Sequence, residues 1–333
     1  MIWIRRAAWI TLVLIAVAAA LAGIAAWRLH APVQLPGAGP VEFEIAPGSS
    51  LKRTAAELAQ AGLLPEPALF VLAGRVLGRA GSIKAGHYQL ARPHSPLELL
   101  DKFTRGDVTL AQITIIEGWT FRQLRAALDQ HPDLRHETSA MSDADVLASL
   151  GEVADAPEGL FFPDTYFFSK NSTDLDVLRR ARRTMEQHLQ DAWGDRREGL
   201  PLRSPYEALI LASIIEKETG REEDRAMIGG VFANRLRLGM KLQSDPTVIY
   251  GMGDGFDGNL RKRDLGSDTP FNTYTRAGLP PTPIALPGRA SLAAATQPAE
   301  TAALYFVARG DGSSVFSKTL DEHNQAVNRY QRR

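Results

Sequence analysis

The chain has 333 residues, of which 44% are hydrophobic, so it is long enough for two domains and too apolar to be disordered. Its 38 Lys and Arg residues balance 38 Asp and Glu residues and form no basic run, so a nucleic-acid partner is not expected. The absence of cysteine excludes a disulfide scaffold, thiolate metal sites and a cysteine nucleophile.

The first long element is an uncharged segment, Ala7–Trp27, built mainly from Ala, Leu, Ile and Val. As a helix it would span roughly 31 Å, which matches the hydrocarbon core of a bilayer. Trp9 and Trp27 lie near its ends, where aromatic residues favour the membrane interface. We therefore expect a single-pass transmembrane anchor at residues 7–27.

The flanking charges indicate the orientation of this anchor. The basic pair Arg5 and Arg6 favours a cytoplasmic N-terminus at residues 1–6, with the bulk of the chain outside the cytoplasm. A cleaved signal peptide is the alternative, because Ala18–Gly23 resembles a small-residue cleavage site. The Pro-rich and Gly-rich residues 28–40 are predicted to form a spacer.

Residues 41–116 predict a small α+β module. Its elements follow from alternating apolar residues, helix caps and turn residues. They are a strand at 41–45, helices at 51–62, 67–77 and 96–106, and strands at 87–90 and 108–116.

The remainder predicts a connector at residues 117–170 and a larger, mainly helical domain at 171–333. Helix-start signals fall at Thr120, Ser142, Thr173, Ser204 and Thr319. Residues 251–287 are rich in Gly, Pro and Asn and predict long loops of the kind that carry function, and residues 304–318 predict a β-hairpin. The expected fold class is α+β.

The chemistry expected from the sequence centres on the helix that begins after Ser204. Apolar residues on all its sides predict a buried helix, which then delivers Glu216 and Glu218 at its C-terminal turn. Burial and the negative end of the helix dipole would keep such a carboxyl group protonated, as a general acid requires. Glu218 continues the bulkier apolar stripe, which favours it over Glu216. The alternative is two solvated helix-end charges, with Glu218 pairing with Arg221.

Nothing in the chain indicates a cofactor or a metal. The seven histidines lack the spacing of a zinc protease, and neither a phosphate-binding lysine motif nor a complete dinucleotide fingerprint is present. No cofactor is therefore expected.

A series of motifs resembles the endolytic murein transglycosylase family (YceG-like). The matching segments run in order through nearly the whole chain: 158–166, 212–219, 231–236, 242–251, 271–274 and 278–281. Phe271 stands where that family commonly has Tyr, and Thr282 where Gly often follows the double proline. Loss of the phenol at Phe271 would weaken a sugar contact without removing the acid.

The resemblance implies a LysM-like peptidoglycan-binding module at 41–116 and a catalytic domain at 171–333 that cuts nascent glycan strands. It places the catalytic Glu at Glu218 and implies non-hydrolytic cleavage between N-acetylmuramic acid and N-acetylglucosamine, leaving a 1,6-anhydro end. The single anchor and its short spacer place the protein at the inner membrane with its bulk in the periplasm, close to newly made glycan. Peptidoglycan synthases (penicillin-binding proteins) are candidate partners there. The alternative is a membrane-anchored scaffold that binds glycan without cleaving it.

Polar residues in the same motifs are the expected glycan contacts. They are Asn234, Gln243, Asp245, Thr247, Tyr250, Asn272 and Tyr274. Asn234 has a plain alternative role, tying a helix to a loop, and Tyr274 has another, packing in the core. A hydrolase would need a second carboxylate, for which Glu216 and Asp245 are the candidates, although Asp245-Pro246 also reads as a helix N-cap.

Overall fold

The computed structural model describes residues 2–37, 39–152, 154 and 156–331. The extreme ends of the predicted cytoplasmic and catalytic segments, residues 1 and 332–333, lie outside the described residues, as do residue 38 of the spacer and residues 153 and 155 of the connector. The chain divides into two compact units, one formed by residues up to 111 with 167–170, the other by 112–166 and the residues from 171 onward. Most of the predicted connector therefore belongs to the second unit.

The first unit begins with a long apolar helix, α1 (Ile2–His30). Its segment Trp9–His30 has a mean hydropathy of 2.4, and none of that hydrophobic window is buried within the protein. By length and composition the segment is able to cross a membrane, as the sequence predicts.

The rest of the first unit is a small α+β layer. Its elements are β1 (Val41–Ile45), α2 (Leu51–Gln60), α3 (Pro67–Val76), β2 (Gly86–Leu90) and α4 (Pro96–Arg105). β1 and β2 pair in antiparallel register with Phe43 opposite Tyr88. Both side chains are buried with Phe103, so the alternation predicted for β1 places one face of the strand in the core.

Two strands lie where the chain passes between the units, β3 (Leu110–Thr114) and β5 (Thr165–Ser169), and they pair with each other. The second unit contains two further short strands, β4 (Leu134–Arg135) and β6 (Ser172–Thr173), which pair in parallel. Its C-terminal hairpin, β7 (Tyr305–Ala308) with β8 (Ser314–Ser317), lies where the sequence predicts it.

Helices are the predominant regular elements of the second unit. They are α5 (Phe121–Asp129), α6 (Asp143–Leu150), α7 (Asp174–Gly194), α8 (Pro205–Glu218), α9 (Glu222–Arg237), α10 (Asp245–Met252), α11 (Lys262–Gly266), α12 (Arg289–Thr296) and α13 (Leu320–Tyr330). Thr120, Ser142, Thr173, Ser204 and Thr319 all cap helices through their hydroxyl groups, so the predicted starts are confirmed.

The core of the second unit forms around α8, which packs against α9 and α12. Gly229 of α9 allows α9 and α12 to pack closely. A Cβ atom at this position would lie 2.3 Å from the carbonyl oxygen of Ala294 in α12. Ser213 joins α8 to the loop before α12 by accepting a hydrogen bond from the Ile284 N–H at 3.0 Å. Helix α12 was not predicted from the sequence, since its residues consist largely of small side chains without a clear apolar stripe.

The predicted N-cap role of Asp245 is wrong. The cap position of α10 is Ser244, and Asp245 is the first helical residue. The carboxylate of Asp245 instead accepts a hydrogen bond of 2.5 Å from the hydroxyl of Tyr274. A tertiary contact therefore replaces the local one.

Candidate active site

Glu218 is the last residue of α8, and the course of that helix explains its position. Ser204 accepts a hydrogen bond from the Glu207 N–H at 3.2 Å, and Pro205 fills the first helical position. Residues 208–215 are all buried, so α8 passes through the interior of the unit. The helix therefore carries a carboxyl group to the end of an apolar path, as predicted.

Protein atoms surround the carboxyl group of Glu218 on most sides. Burial raises its pKa to about 7, and the negative charge of Asp245 acts in the same direction. A short hydrogen bond donated by the Ser244 hydroxyl and the positive charge of Arg235 oppose this rise in pKa. At neutral pH both protonation states are therefore populated, which suits a group that first gives and then takes a proton.

The solvated alternative for Glu218 does not occur. Arg221 pairs with Glu223 at 3.1 Å rather than with Glu218. Thr219 follows α8 in an extended conformation, and its hydroxyl accepts from the Arg221 N–H at 3.0 Å. The chain therefore leaves the helix immediately after Glu218.

Glu218 lines a cavity of about 550 Å³. Four of the predicted site residues meet there: Glu218, Gln243, Asp245 and Tyr274. Carboxylate, amide and phenol groups are what a polar sugar chain requires of a binding site, and the aromatic ring can stack on a sugar face. A single cavity thus contains the candidate acid and groups suited to hold a glycan.

Arg235 supplies a fixed positive charge to this cavity. It is 6% exposed, and its Nε donates to the Leu304 carbonyl at 2.7 Å while Nη1 donates to the Leu242 carbonyl at 2.8 Å. Backbone carbonyl groups therefore hold the guanidinium in place without neutralising it, and its charge remains available to the carboxylate form of Glu218.

The C-terminal hairpin and α13 form another wall of the cavity. Tyr305 stacks on His323 with ring centroids 5.2 Å apart, and Arg235 lies 5.1 Å from the centroid of the Tyr305 ring. Burial and the charge of Arg235 lower the pKa of His323. The imidazole is therefore neutral at neutral pH, and its Nδ1 has no hydrogen-bond partner among the described residues.

The loop before α10 is held in a constrained conformation. Gln243 has a φ of +51°, a left-handed value that non-glycine residues rarely adopt. Its N–H donates to the Thr273 carbonyl at 3.1 Å, and the Ser244 N–H donates to the Thr273 hydroxyl at 3.0 Å. These bonds fix the two residues that flank the carboxyl group of Glu218.

Thr247 and Asn272 do not line this cavity. Thr247 is fully buried and shares a hydrogen bond of 2.9 Å with Thr273. Asn272 is also fully buried, donates to the Ser267 carbonyl at 2.6 Å and accepts from the Tyr274 N–H at 2.8 Å. Both residues hold the loops that carry the cavity-lining groups.

Asn234 and Glu216 likewise lie outside the residues that line the cavity. The amide of Asn234 donates to the Thr301 carbonyl at 2.8 Å, so it ties α9 to the segment before β7, the alternative role considered for it. The carboxylate of Glu216 accepts from the Gly288 N–H at 2.9 Å and pairs with Arg225 at 3.3 Å. These partners direct Glu216 toward the start of α12.

Tyr250 belongs to a second cavity of about 460 Å³, which also contains a second buried carboxyl group. Glu158 accepts from the Phe121 N–H at 3.0 Å and from the Tyr250 hydroxyl at 3.1 Å. Burial raises the pKa of Glu158 to about 7 against these hydrogen bonds. Glu158 is the first residue of the matching segment 158–166, but no local pattern in the sequence predicts that it is buried.

A cluster with the composition of a metal site lies elsewhere in the second unit. Ligand atoms of Asp129, His136 and Asp174 lie within 4.8 Å of one another. Asp174 is fully buried, and its carboxylate already accepts hydrogen bonds from the backbone N–H groups of Glu137 and Thr138, both at 3.0 Å. These bonds give Asp174 a structural role at the start of α7.

Sequence reasoning missed four residues around Glu218: Arg235, Ser244, Tyr305 and His323. Arg235 and Ser244 each stand beside a residue that was singled out, Asn234 and Gln243. Tyr305 and His323 carry no local signal, because only the packing of the hairpin and α13 brings them to the cavity.

A buried carboxyl group with a near-neutral pKa, set in a polar cavity with aromatic walls, has the properties that acid–base chemistry requires. The chain belongs to the YceG-like family, whose sequence model matches residues 43–329.

The chain is similar to known proteins over most of its length. It is 32% identical to the endolytic murein transglycosylase of Bacillus subtilis over 90% of this chain and 87% of the relative. It is 27% identical to the endolytic murein transglycosylase of Streptococcus pneumoniae, covering 86% of this chain and 58% of that longer relative. The crystal structure of a YceG-like protein from Listeria monocytogenes matches with 28% identity and a TM-score of 0.54, covering 86% of this chain and 98% of the other.

Proposed function

We propose that the protein is a lytic transglycosylase that cleaves peptidoglycan glycan strands through Glu218. The observation that carries the proposal is the near-neutral pKa of this carboxyl group in a cavity of about 550 Å³. The relatives named as endolytic murein transglycosylases support the same substrate, since they match most of this chain. The bond cut is the β-1,4 bond between N-acetylmuramic acid and N-acetylglucosamine.

In the first step, protonated Glu218 donates its proton to the glycosidic oxygen, and the bond from that oxygen to the anomeric carbon breaks. The pKa of about 7 keeps a large protonated fraction at neutral pH. Positive charge then develops on the muramic ring. Asp245, which lines the same cavity, makes a modest contribution to offsetting that charge.

In the second step, Glu218 is a carboxylate and accepts the proton of the muramic 6-hydroxyl as that oxygen bonds to the anomeric carbon. The product is a 1,6-anhydro end, and Glu218 regains its proton without consuming water. Ser244 and Arg235 favour the carboxylate form that exists between the two steps. One carboxyl group therefore completes the cycle.

A hydrolytic mechanism would require a second carboxyl group as nucleophile or base. Asp245 is the other carboxylate that lines the cavity, and its Oδ1 is engaged by the Tyr274 hydroxyl. Glu216 is engaged by Arg225 and the Gly288 N–H. These contacts favour the non-hydrolytic reaction.

The proposal extends to the location of the enzyme. α1 crosses the inner membrane once, residues 1–6 lie in the cytoplasm, and both units from residue 41 onward lie in the periplasm. The paired strands β1 and β2 with their two intervening helices support a LysM-like module that binds glycan. An enzyme anchored in this way meets nascent strands near the membrane, where the peptidoglycan synthases (penicillin-binding proteins) are its expected partners.

The test uses the full-length protein in detergent, uncrosslinked glycan strands and mass spectrometry of the fragments. Wild type should give fragments one water lighter than hydrolysis products. Glu218→Gln should lower the rate by a factor of about 10² to 10⁴. Glu222→Gln, which changes an exposed carboxylate at the start of α9, is the matched control and should retain activity.

Fragments of hydrolytic mass would contradict the lytic reaction and require a second carboxylate. Unchanged cleavage by Glu218→Gln would contradict the assignment of the acid. If neither wild type nor variant yields fragments while both bind glycan, the protein is a membrane-anchored scaffold.

A further inference from the structure

The outward side of α3 is apolar although it lies on the protein surface. Leu72 is 57% exposed and Val76 is 76% exposed, and Leu77, directly after the helix, is 50% exposed. Ala68 is also exposed and lies one turn before Leu72. Ala68, Leu72 and Val76 are spaced four residues apart, so they form one stripe along the helix.

This stripe is not the core-facing side of α3. Phe70 and Ala73 are buried in the first unit, and Gly74 packs so tightly that a Cβ atom there would lie 2.5 Å from Leu51 of α2. A surface helix ordinarily pairs such a buried side with a charged outer side. In α3 the single charged residue is Arg75, which makes no ion pair with the described residues.

Helix α3 is tied to the end of the apolar helix α1. Arg28 of α1 forms an ion pair with Glu66, the residue that caps α3. α1 also contacts α3 and α4, and the Val33 N–H just beyond α1 donates to the His94 carbonyl at 2.9 Å. The start of α3 is thus tied to Arg28, which follows Trp27, the residue expected at the membrane interface.

We infer that the outer face of α3, formed by Ala68, Leu72, Arg75 and Val76, lies on the lipid surface of the membrane that α1 crosses. Apolar side chains with a neighbouring basic residue are the composition that binds the boundary between lipid headgroups and acyl chains. Arg75 then meets anionic headgroups while Leu72 and Val76 enter the acyl region. The inference rests on the proposed membrane placement of α1.

This contact gives the first unit a fixed orientation on the bilayer. A single transmembrane helix leaves the attached unit free to rotate and tilt, whereas a second contact at α3 removes that freedom. The two contacts are continuous, because the Arg28–Glu66 ion pair joins them.

Because the chain has no cysteine, a single introduced cysteine is the only site that a thiol-reactive dye labels. Full-length Val76→Cys, labelled with an environment-sensitive dye, is reconstituted into vesicles of phosphatidylethanolamine and phosphatidylglycerol. Part of the lipid carries a nitroxide quencher on its acyl chain. Leu110→Cys is the matched control in the same unit, because Leu110 is similarly exposed at 51%. Leu14→Cys, within α1, reports on the membrane span itself.

The expected result is strong quenching at positions 14 and 76 and several-fold weaker quenching at position 110. Quenching at position 14 without quenching at position 76 would overturn the inference about α3 but would support α1 as a membrane-spanning helix. A blue-shifted, unquenched dye at position 76 that returns to aqueous emission on dilution with lipid would assign this face to a second copy of the chain. An unquenched dye at position 14 would contradict both the assignment of α1 as a membrane-spanning helix and the inference about α3.

Discussion

Ser244 and Glu218 bring the ends of two helices together. Glu218 is the last residue of α8, Ser244 caps α10, and the serine hydroxyl donates its hydrogen bond to the glutamate carboxyl group. The negative end of one helix dipole therefore meets the positive end of another at the carboxyl group. The Ser244 hydroxyl and the positive end of α10 favour the carboxylate form of Glu218, whereas burial and the negative end of α8 oppose it.

Ser244→Ala should raise the pKa of Glu218 further, because it removes a hydrogen bond that favours the carboxylate. The alkaline limb of the pH–rate profile should move to higher pH. The value of kcat/KM should fall about tenfold, which corresponds to one hydrogen bond to a charged group.

The measurement is a pH series of glycan cleavage, with Ser267→Ala as control for an exposed serine in the neighbouring loop. A limb that moves to lower pH, or an equal effect in the control, would contradict the role given to Ser244.

Asp245→Asn should have the opposite effect on the profile. The negative charge of Asp245 raises the pKa of Glu218, so its removal should lower that pKa and move the alkaline limb to lower pH. The asparagine oxygen can still accept from Tyr274, which preserves the local geometry. Under the lytic mechanism the rate at the optimum should stay within about tenfold of wild type.

If Asp245 were the nucleophile or base of a hydrolase, the same variant would lose about as much activity as Glu218→Gln. The comparison of the two variants at their optimal pH decides between the reactions independently of product mass.

Glu218 should also make the fold less stable as pH rises. Its pKa is about 7 in the folded protein against an ordinary value of 4.5, so the folded state holds more protons between these values. The free energy of unfolding should therefore fall as pH increases from 4.5 to about 7 and remain low above it. Glu158 has the same raised pKa and should contribute a similar slope.

Glu218→Gln removes one of these two contributions. It should be more stable than wild type at pH 8 by about 1 to 3 kcal/mol and nearly equal to it at pH 4. Urea unfolding at the two pH values measures this difference. Equal stability at pH 8 would show that the carboxyl group is better solvated than the structure indicates.

Gly229→Ala should destabilise the second unit by about 1 to 3 kcal/mol, because its Cβ would collide with the backbone of Ala294. Gly194→Ala is the matched control, since Gly194 ends α7 and a Cβ there meets nothing within 4 Å. The control should be neutral or gain up to about 1 kcal/mol of helix stability. Thermal unfolding of both variants measures the contrast, and similar melting temperatures would contradict the close approach of α9 and α12.

Local signals predict the helices and strands where they involve only neighbouring residues. The helix starts at Thr120, Ser142 and Thr319 form as expected. Each is a capping box in the structure, which needs only a hydroxyl and an acidic or amide group three residues later. Helix α12 escapes prediction, since its small residues are selected by the close packing of α8 and α9 rather than by a periodic pattern.

The site follows the same division. The raised pKa of Glu218 was predictable from an apolar helix that ends in a carboxyl group. The sequence did not predict that Tyr250 lies outside that site. Its hydroxyl donates a hydrogen bond to Glu158, a residue 92 positions earlier in the chain. The predicted cap role of Asp245 is wrong for a similar reason, because its carboxylate accepts a hydrogen bond from Tyr274, which lies in another loop.

The wall formed by Tyr305 and His323 has a consequence for the order in which the protein becomes competent. Ribosomes make the chain from the N-terminus, so Glu218 is synthesised well before the hairpin and α13 that close its cavity. A nascent or proteolytically shortened chain that ends before Leu304 contains Glu218 but lacks the stacked rings and the Leu304 carbonyl that anchors Arg235. The fold thereby postpones completion of the Glu218 cavity until the hairpin and α13 have been made.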